Sequence, residues 1–219
     1  ALGLPYHRGY LLSGPPGTGK TSIVKAIASH FKQDLFFMSM PSLGGDSPNA
    51  SFLRLTGDME GHGILLLEDI DTVKGTHKRA SEDAVADGAS VPNASSDTTT
   101  KEDVSLETLL NFLDGVATPH GLVTFLTTNR KNAIDDALLR PGRADVIVDV
   151  HRAEAAQVER IYEMAFEAQF PWELPTTNEL TGKPLSIAPS VVTEAIKQAI
   201  NDPEDAAKII FKVWEEKAE

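Results

Sequence analysis

Through the first 150 positions, short runs of consecutive apolar residues alternate with longer mixed stretches. The runs lie at Gly9 to Leu12, Leu35 to Met40, Ile64 to Leu67, Leu122 to Thr127 and Val146 to Val150. Runs of that length read as strands buried on both faces, and strands separated by helical stretches make a mostly parallel sheet sandwiched by helices. Behind the first run, Ile23, Ala26, Ile27 and Phe31 predict a helix with its inward face through those positions. Leu106, Leu109, Leu110 and Leu113 predict another, with Ser105 as N-cap and Gly115 as its stop. After Val150 the pattern turns purely helical. Val158, Ile161, Tyr162, Ala165 and Phe166 line one helix, and Val191, Val192, Ala195, Ile196 and Ala199 a second. The last opens on Asp202-Pro203-Glu204-Asp205, a capping residue followed by proline at the first helical position, and turns Ala207, Ile210, Phe211 and Trp214 inward. The pattern therefore predicts an α/β domain over residues 1–150 and a small α-helical domain over 151–219. From 74 to 103 Ser, Thr, Asp, Glu, Ala and Gly replace the large apolar residues, so that stretch is expected to be a flexible insertion that supplies little core.

Between the first strand and the first helix stands Gly14-Pro15-Pro16-Gly17-Thr18-Gly19-Lys20-Thr21, followed by Ser22. It completes G-x-x-x-x-G-K-[ST], the phosphate-binding loop of a nucleoside triphosphatase, in the strand-turn-helix context that loop requires. Glycines let backbone N–H groups approach the phosphates, and the helix N-terminus adds partial positive charge. Lys20 would reach the β- and γ-phosphates of ATP, and the Thr21 hydroxyl would bind Mg²⁺. The third run ends in Glu68-Asp69-Ile70-Asp71, acids at the carboxyl end of a buried strand, where a phosphate-loop enzyme holds its metal. By position Glu68 is the Mg²⁺-associated carboxylate, and Asp69 is the carboxylate that both approaches the metal and polarises the attacking water. Most ATPases of this general type have the reverse order, and a shorter base here would slow hydrolysis. Asn129 ends the fourth run, with its amide suited to orienting the lytic water. Arg143 follows the Pro141-Gly142 break, as an arginine placed to stabilise transition-state charge at a neighbour's nucleotide.

Charge and composition narrow the chemistry further. Thirty-two acidic against 20 basic side chains give a net charge of −12, which argues against broad affinity for nucleic acid or anionic membranes. With no Cys, disulfides and thiolate chemistry are excluded, and a reducing intracellular compartment is expected. No apolar run approaches the roughly 20 residues of a membrane span. The chain opens at Ala1-Leu2-Gly3, close to its first strand, and so reads as a domain excised from a longer protein whose upstream segment would carry any targeting or membrane function. An N-K-x-D segment for reading guanine is missing, as is the H-E-x-x-H of a metalloprotease.

The three blocks together resemble the AAA family of ring-forming ATPases, from about Leu4 through Val150. Leu4-Pro5-Tyr6-His7-Arg8-Gly9-Tyr10-Leu11-Leu12, Leu66-Leu67-Glu68-Asp69-Ile70-Asp71, Leu110-Asn111-Phe112-Leu113-Asp114-Gly115-Val116 and Thr127-Thr128-Asn129 through Arg140-Pro141-Gly142-Arg143 are similar to the subfamily of the mitochondrial complex III assembly chaperone, which translocates the folded Rieske iron–sulfur protein. That subfamily usually carries the Glu-Asp order, so the resemblance implies a family trait rather than a dead site. It also implies a P-loop NTPase fold with a helical lid, ATP and Mg²⁺ as cofactors, a homo-oligomeric ring of six or seven subunits, and Arg143 as the arginine finger. A second finger three residues on is replaced by Val146. For a eukaryotic member the expected address is the mitochondrial inner membrane, reached through segments outside this chain. Pro41-Ser42-Leu43-Gly44-Gly45-Asp46 lacks an aromatic residue to grip an unfolded chain, which argues against a threading unfoldase. Two other readings stay open: an ATP-gated assembly switch with little hydrolysis, and a replication-type ATPase acting on nucleic acid.

Overall fold

The computed structural model describes residues 7–40, 48–57, 63–73, 104–114, 121–178 and 181–218. Five strands form one sheet: β1 (Arg8–Ser13), β2 (Leu35–Ser39), β3 (Gly63–Glu68), β4 (Leu122–Thr128) and β5 (Val146–Asp149), in spatial order β2-β3-β4-β1-β5. Each lies within a residue or two of its apolar run. Strand β3 is parallel to both β2 and β4, with Ile64 beside Leu35 on one side and Val123 on the other. Asp145 N donates to Gly9 O and Val150 N to Ser13 O, so β5 runs in the same direction as β1. This is the P-loop α/β fold. Leu65, Leu66 and Leu67 are wholly buried in the middle of it, which is why β3 reads as a continuous apolar run rather than an alternating one.

Two compact units make up the chain: one holds Val24–Val148 with the strand running up to Leu12, the other holds Ser13–Ile23 and Asp149–Glu219. In the first, Leu11, Leu65, Leu67, Leu109, Phe112 and Leu126 belong to a continuous core. Helix α1 (Lys20–Phe31) departs from its predicted face: Val24 and Ala28 are buried and Ile27 partly so, whereas Ile23, Ala26 and Phe31 are exposed. Both stripes satisfy helical spacing, and only packing selects between them. Helix α2 (Pro48–Gly57) was not foreseen, because Leu53 and Leu55 blur the one-turn spacing of its buried residues, Phe52 and Thr56. Phe52 meets Phe112 of α3 (Leu106–Leu113) edge to face at 5.3 Å. Ser105 caps α3 as expected, accepting from Thr108 N at 3.2 Å, while Asn49 of α2 accepts from Ser105 N. The predicted stop Gly115, with Val116, Leu4 to Tyr6, the 41–46 segment and the 74–103 stretch, lies outside the described residues.

In the second unit, α4 (Ala155–Phe166), α5 (Pro189–Gln198) and α6 (Pro203–Lys217) enclose their own core of Val158, Tyr162, Val192, Ala195, Ile196, Ala207, Ile210 and Trp214. Ala165, expected inward, is exposed at the end of α4, one residue before Phe166 closes the apolar stripe. Asp202 caps α6 by accepting from Asp205 N at 3.1 Å, with Pro203 at the first helical position. The polar ends of the buried aromatics are satisfied: Tyr162 Oη donates to Pro203 O and Trp214 Nε1 to Pro175 O. None of the described helices is long and apolar enough to cross a membrane.

Candidate nucleotide site

Strand β1 delivers the chain into a tight turn whose glycines are sterically required. A side chain on Gly14 would put its Cβ 2.0 Å from Val150 O, and Gly17 and Gly19 hold φ of 77° and 92°, a region that other residues rarely adopt. Thr18 is buried and its hydroxyl donates to Pro15 O at 2.9 Å. Lys20, the first residue of α1, folds its ammonium back over the turn and donates to Gly14 O at 2.8 Å and Pro15 O at 2.9 Å. The lysine therefore lies over the loop itself, with Pro15, Pro16 and Gly17 exposed in front of it. Thr21 is half-buried and Ser22 exposed, and no acid stands in the first turn of α1 to offset the positive end of its dipole. A cation at a helix start behind an exposed glycine turn is the arrangement expected of a candidate anion site.

One brace of this loop escaped sequence reasoning. Ser190, in the first turn of α5, donates its backbone N–H to Gly17 O at 3.1 Å, and a Cβ on Gly17 would meet Ser190 Oγ at 2.3 Å. The sequence signal, Pro189 opening a helix, marks the helix start but not what it touches.

At the end of β3, Glu68 is the strand's one residue that is not buried. Asp69 follows it in a left-handed conformation (φ 55°, ψ 47°), which costs about 1 kcal/mol for a residue with a Cβ. One local and one long-range hydrogen bond offset that cost: Thr72 Oγ1 donates to Asp69 O at 2.7 Å, and Asn129 Nδ2 donates to Asp69 Oδ1 at 3.2 Å. The structure thus brings together Asp69 and Asn129, two of the residues singled out from sequence. Sheet order explains the meeting, because β3 and β4 are neighbours although about 60 residues separate the two side chains.

Arg143 is held within its own unit. Its Nε and Nη2 donate to the two carboxylate oxygens of Asp114 at 2.6 and 2.7 Å, and Nη1 donates to Ala137 O at 2.7 Å. This fork geometry is the strong form of an arginine–carboxylate pair. The Arg143 hydrogen bond holds the Asp114 carboxyl below its ordinary range, and the same bond raises the guanidinium. Behind the arginine, Asp145 ties its turn to β1 by accepting from Gly142 N at 2.8 Å and Gly9 N at 3.0 Å. Desolvation works to raise the Asp145 carboxyl, but these two donors, with the charges of Arg8 and His7, hold it below its usual value.

The model of the ATPase family associated with various cellular activities (AAA) matches residues 10–152, and the chain belongs to that family. It is 32% identical over 183 residues to the probable mitochondrial chaperone BCS1-B of Dictyostelium discoideum, covering 77% of this chain and 39% of that protein. It is 33% identical over 172 residues to the mitochondrial chaperone BCS1 of Homo sapiens, covering 77% of this chain and 37% of the human protein. An AAA-ATPase of Arabidopsis thaliana is 39% identical over 147 residues, 66% of this chain and 28% of the plant protein. The resemblance to the mitochondrial assembly-chaperone subfamily is therefore spread across both the α/β region and part of the helical region. The chain spans about two fifths of the length of the first two of these relatives or less.

Proposed function

We propose that this chain is the ATP-binding and ATP-hydrolysing module of a ring-forming chaperone that remodels or translocates protein. AAA proteins are ATPases that generally assemble into rings. The observation that supports hydrolysis best is the 3.2 Å bond between Asp69 and Asn129, which orients a carboxylate and an amide on one another at adjacent strand ends. In this reading Gly14 to Ser22 cradle the triphosphate and Lys20 exchanges its loop carbonyls for phosphate oxygens. Asp69 accepts a proton from the attacking water, and Asn129 orients that water. Thr21 and Glu68 would hold Mg²⁺, with Asp69 beside it; hydroxyl and carboxylate oxygens suit that hard cation, and Glu68 is the β3 residue left open to solvent. When bound, Mg²⁺ would neutralise charge developing on the phosphate oxygens.

Unequal roles for the two acids give the direct test. Asp69→Asn is expected to retain Mg²⁺-dependent ATP binding while turnover falls by about a hundredfold or more, the size of a lost general base. Glu68→Gln is expected to weaken metal-dependent binding as well. Binding isotherms at several Mg²⁺ concentrations, beside phosphate release, separate the two. Rescue of Asp69→Asn but not Glu68→Gln by added Mg²⁺ would reverse the assignment. The alternative of an ATP-gated switch draws on the shorter acid at the base position; wild-type phosphate release no faster than that of Lys20→Ala, with ATP still bound, would favour it.

Arg143 is proposed to act in trans, leaving Asp114 for the γ-phosphate of a neighbouring subunit in a homo-oligomeric ring of six or seven. Arg143→Ala and Lys20→Ala subunits, each inactive alone, are expected to recover part of the wild-type turnover on mixing, because some interfaces then pair an intact loop with an intact finger. Turnover by a species that sedimentation shows to be monomeric, unaltered by Arg143→Ala, would refute the trans role. The names of the relatives extend the proposal to a mitochondrial chaperone. Net acidity weighs against nucleic acid as the substrate, and a membrane link would run through segments outside this chain.

A further inference from the structure

Backbone pairing between β3 and β4 runs from Gly63 beside Leu122 to Leu67 beside Leu126. Past that point side chains fasten the β3 side to the last residues of β4. Asp69 N donates to Thr127 Oγ1 at 3.4 Å, and Asp71 Oδ1 accepts from Thr128 Oγ1 at 3.1 Å and, more weakly, from Asn129 N at 3.5 Å. Thr128 is wholly buried, so its hydroxyl has few partners to choose from, and donating to Asp71 leaves its lone pairs for Arg130 N, which donates to Thr128 Oγ1 at 3.0 Å. Asp71 thus orders a relay, carboxylate to hydroxyl to backbone amide, that spans Asn129 from both sides. Ile70, wholly buried, anchors the short turn Ile70–Thr72 that carries Asp71.

We propose that Asp71, the third acid after β3, is a positioning residue for hydrolysis: through Thr128 and the Asn129 backbone it fixes the Asn129 amide against Asp69. The inference rests on the ATPase reading above, in which Asn129 and Asp69 act on the lytic water. Asp71 itself touches neither of the two side chains' reacting atoms. Its effect is on where Asn129 sits, and a displacement of about an ångström at a water-orienting group is worth up to a hundredfold in rate.

The test compares Asp71→Ala, Asp71→Asn and Thr128→Val in the full chain, with Lys20→Ala as the no-turnover control. Asp71→Ala and Thr128→Val are expected to lower kcat by about tenfold to a hundredfold with KM for ATP within about twofold, while Asp71→Asn, which keeps the acceptor oxygen, retains most activity. In parallel, the Asn129 side-chain amide signals in ¹H–¹⁵N spectra are expected to move toward those of a solvent-exposed asparagine in Asp71→Ala and Thr128→Val, and to stay near wild type in Asp71→Asn. A merely structural role would lower the melting temperature without splitting kcat from KM. If Asp71→Ala fails to fold, the isosteric Thr128→Val carries the same expectation. Unmoved Asn129 signals, or signals that move while kcat does not, would overturn the proposal. Wild-type turnover no greater than that of Lys20→Ala would overturn the ATPase reading instead, and the Asn129 signals would still show whether Asp71 sets that side chain.

Discussion

Lys20→Ala is expected to reduce ATP turnover to background and to weaken ATP binding by about a hundredfold or more, with the cooperative thermal transition retained. A charge-assisted hydrogen bond is worth about 1.5–3 kcal/mol, and the lysine is proposed to make more than one to the β- and γ-phosphates, so about 3 kcal/mol or more of affinity goes with it. The cost to the fold is much smaller. The Lys20 ammonium donates to Gly14 O and Pro15 O of its own loop, while both apolar cores are built from other residues. Lys20 is buried, but its removal takes no residue from either apolar core. Fluorescent-nucleotide titration, phosphate release and a thermal melt on the same preparation check all three parts. Wild-type turnover by the variant would end the phosphate-loop assignment.

Gly9→Ala should be the most damaging single-methyl change in the α/β unit. The added Cβ would fall 1.6 Å from Arg143 O and 2.7 Å from the Arg143 carbonyl carbon, so backbone rather than a flexible side chain has to move. Gly9 is also tied to Asp145 in both directions, donating to its carboxylate and accepting from its N–H. Any shift that relieves the clash therefore strains the β1–β5 join and the turn that presents Arg143. Overpacking of this kind costs about 3 kcal/mol or more, which for a chain of this size corresponds to a fall of roughly 10 °C in melting temperature. Gly57→Ala is the matched control: a Cβ at this α2 end position meets nothing within 4 Å, and the change should be close to neutral. Equal melting temperatures for Gly9→Ala and wild type would show that the β1–β5 join is looser than its geometry implies.

The parts of the molecule that sequence reasoning reached are those encoded by neighbouring residues. The eight residues from Gly14 to Thr21 form a loop because their own glycines permit it, and the five strands follow their apolar runs to within a residue or two. The caps at Ser105 and Asp202 are likewise local, each closed by an N–H three residues on. Misreadings arose where two local patterns were equally good. Helix α1 offered two apolar stripes, and α2 hid its buried pair, Phe52 and Thr56, among exposed leucines.

What only the tertiary structure decided are contacts between residues far apart in the chain. Asp69 meets Asn129, Asp71 meets Thr128, Arg143 is clasped by Asp114, Gly9 lies under the Arg143 backbone, and Ser190 braces Gly17. Periodicity is silent on such pairs, and those at the strand ends follow from strand order rather than chain order: β3, β4 and β1 are consecutive in the sheet, and the sequence places them third, fourth and first among its five runs. The local pattern thus determined which chemical groups stand at the strand ends. The burial of each strand between particular neighbours determined which of those groups face one another, since closely packed elements leave a side chain at a strand end few partners within hydrogen-bonding reach.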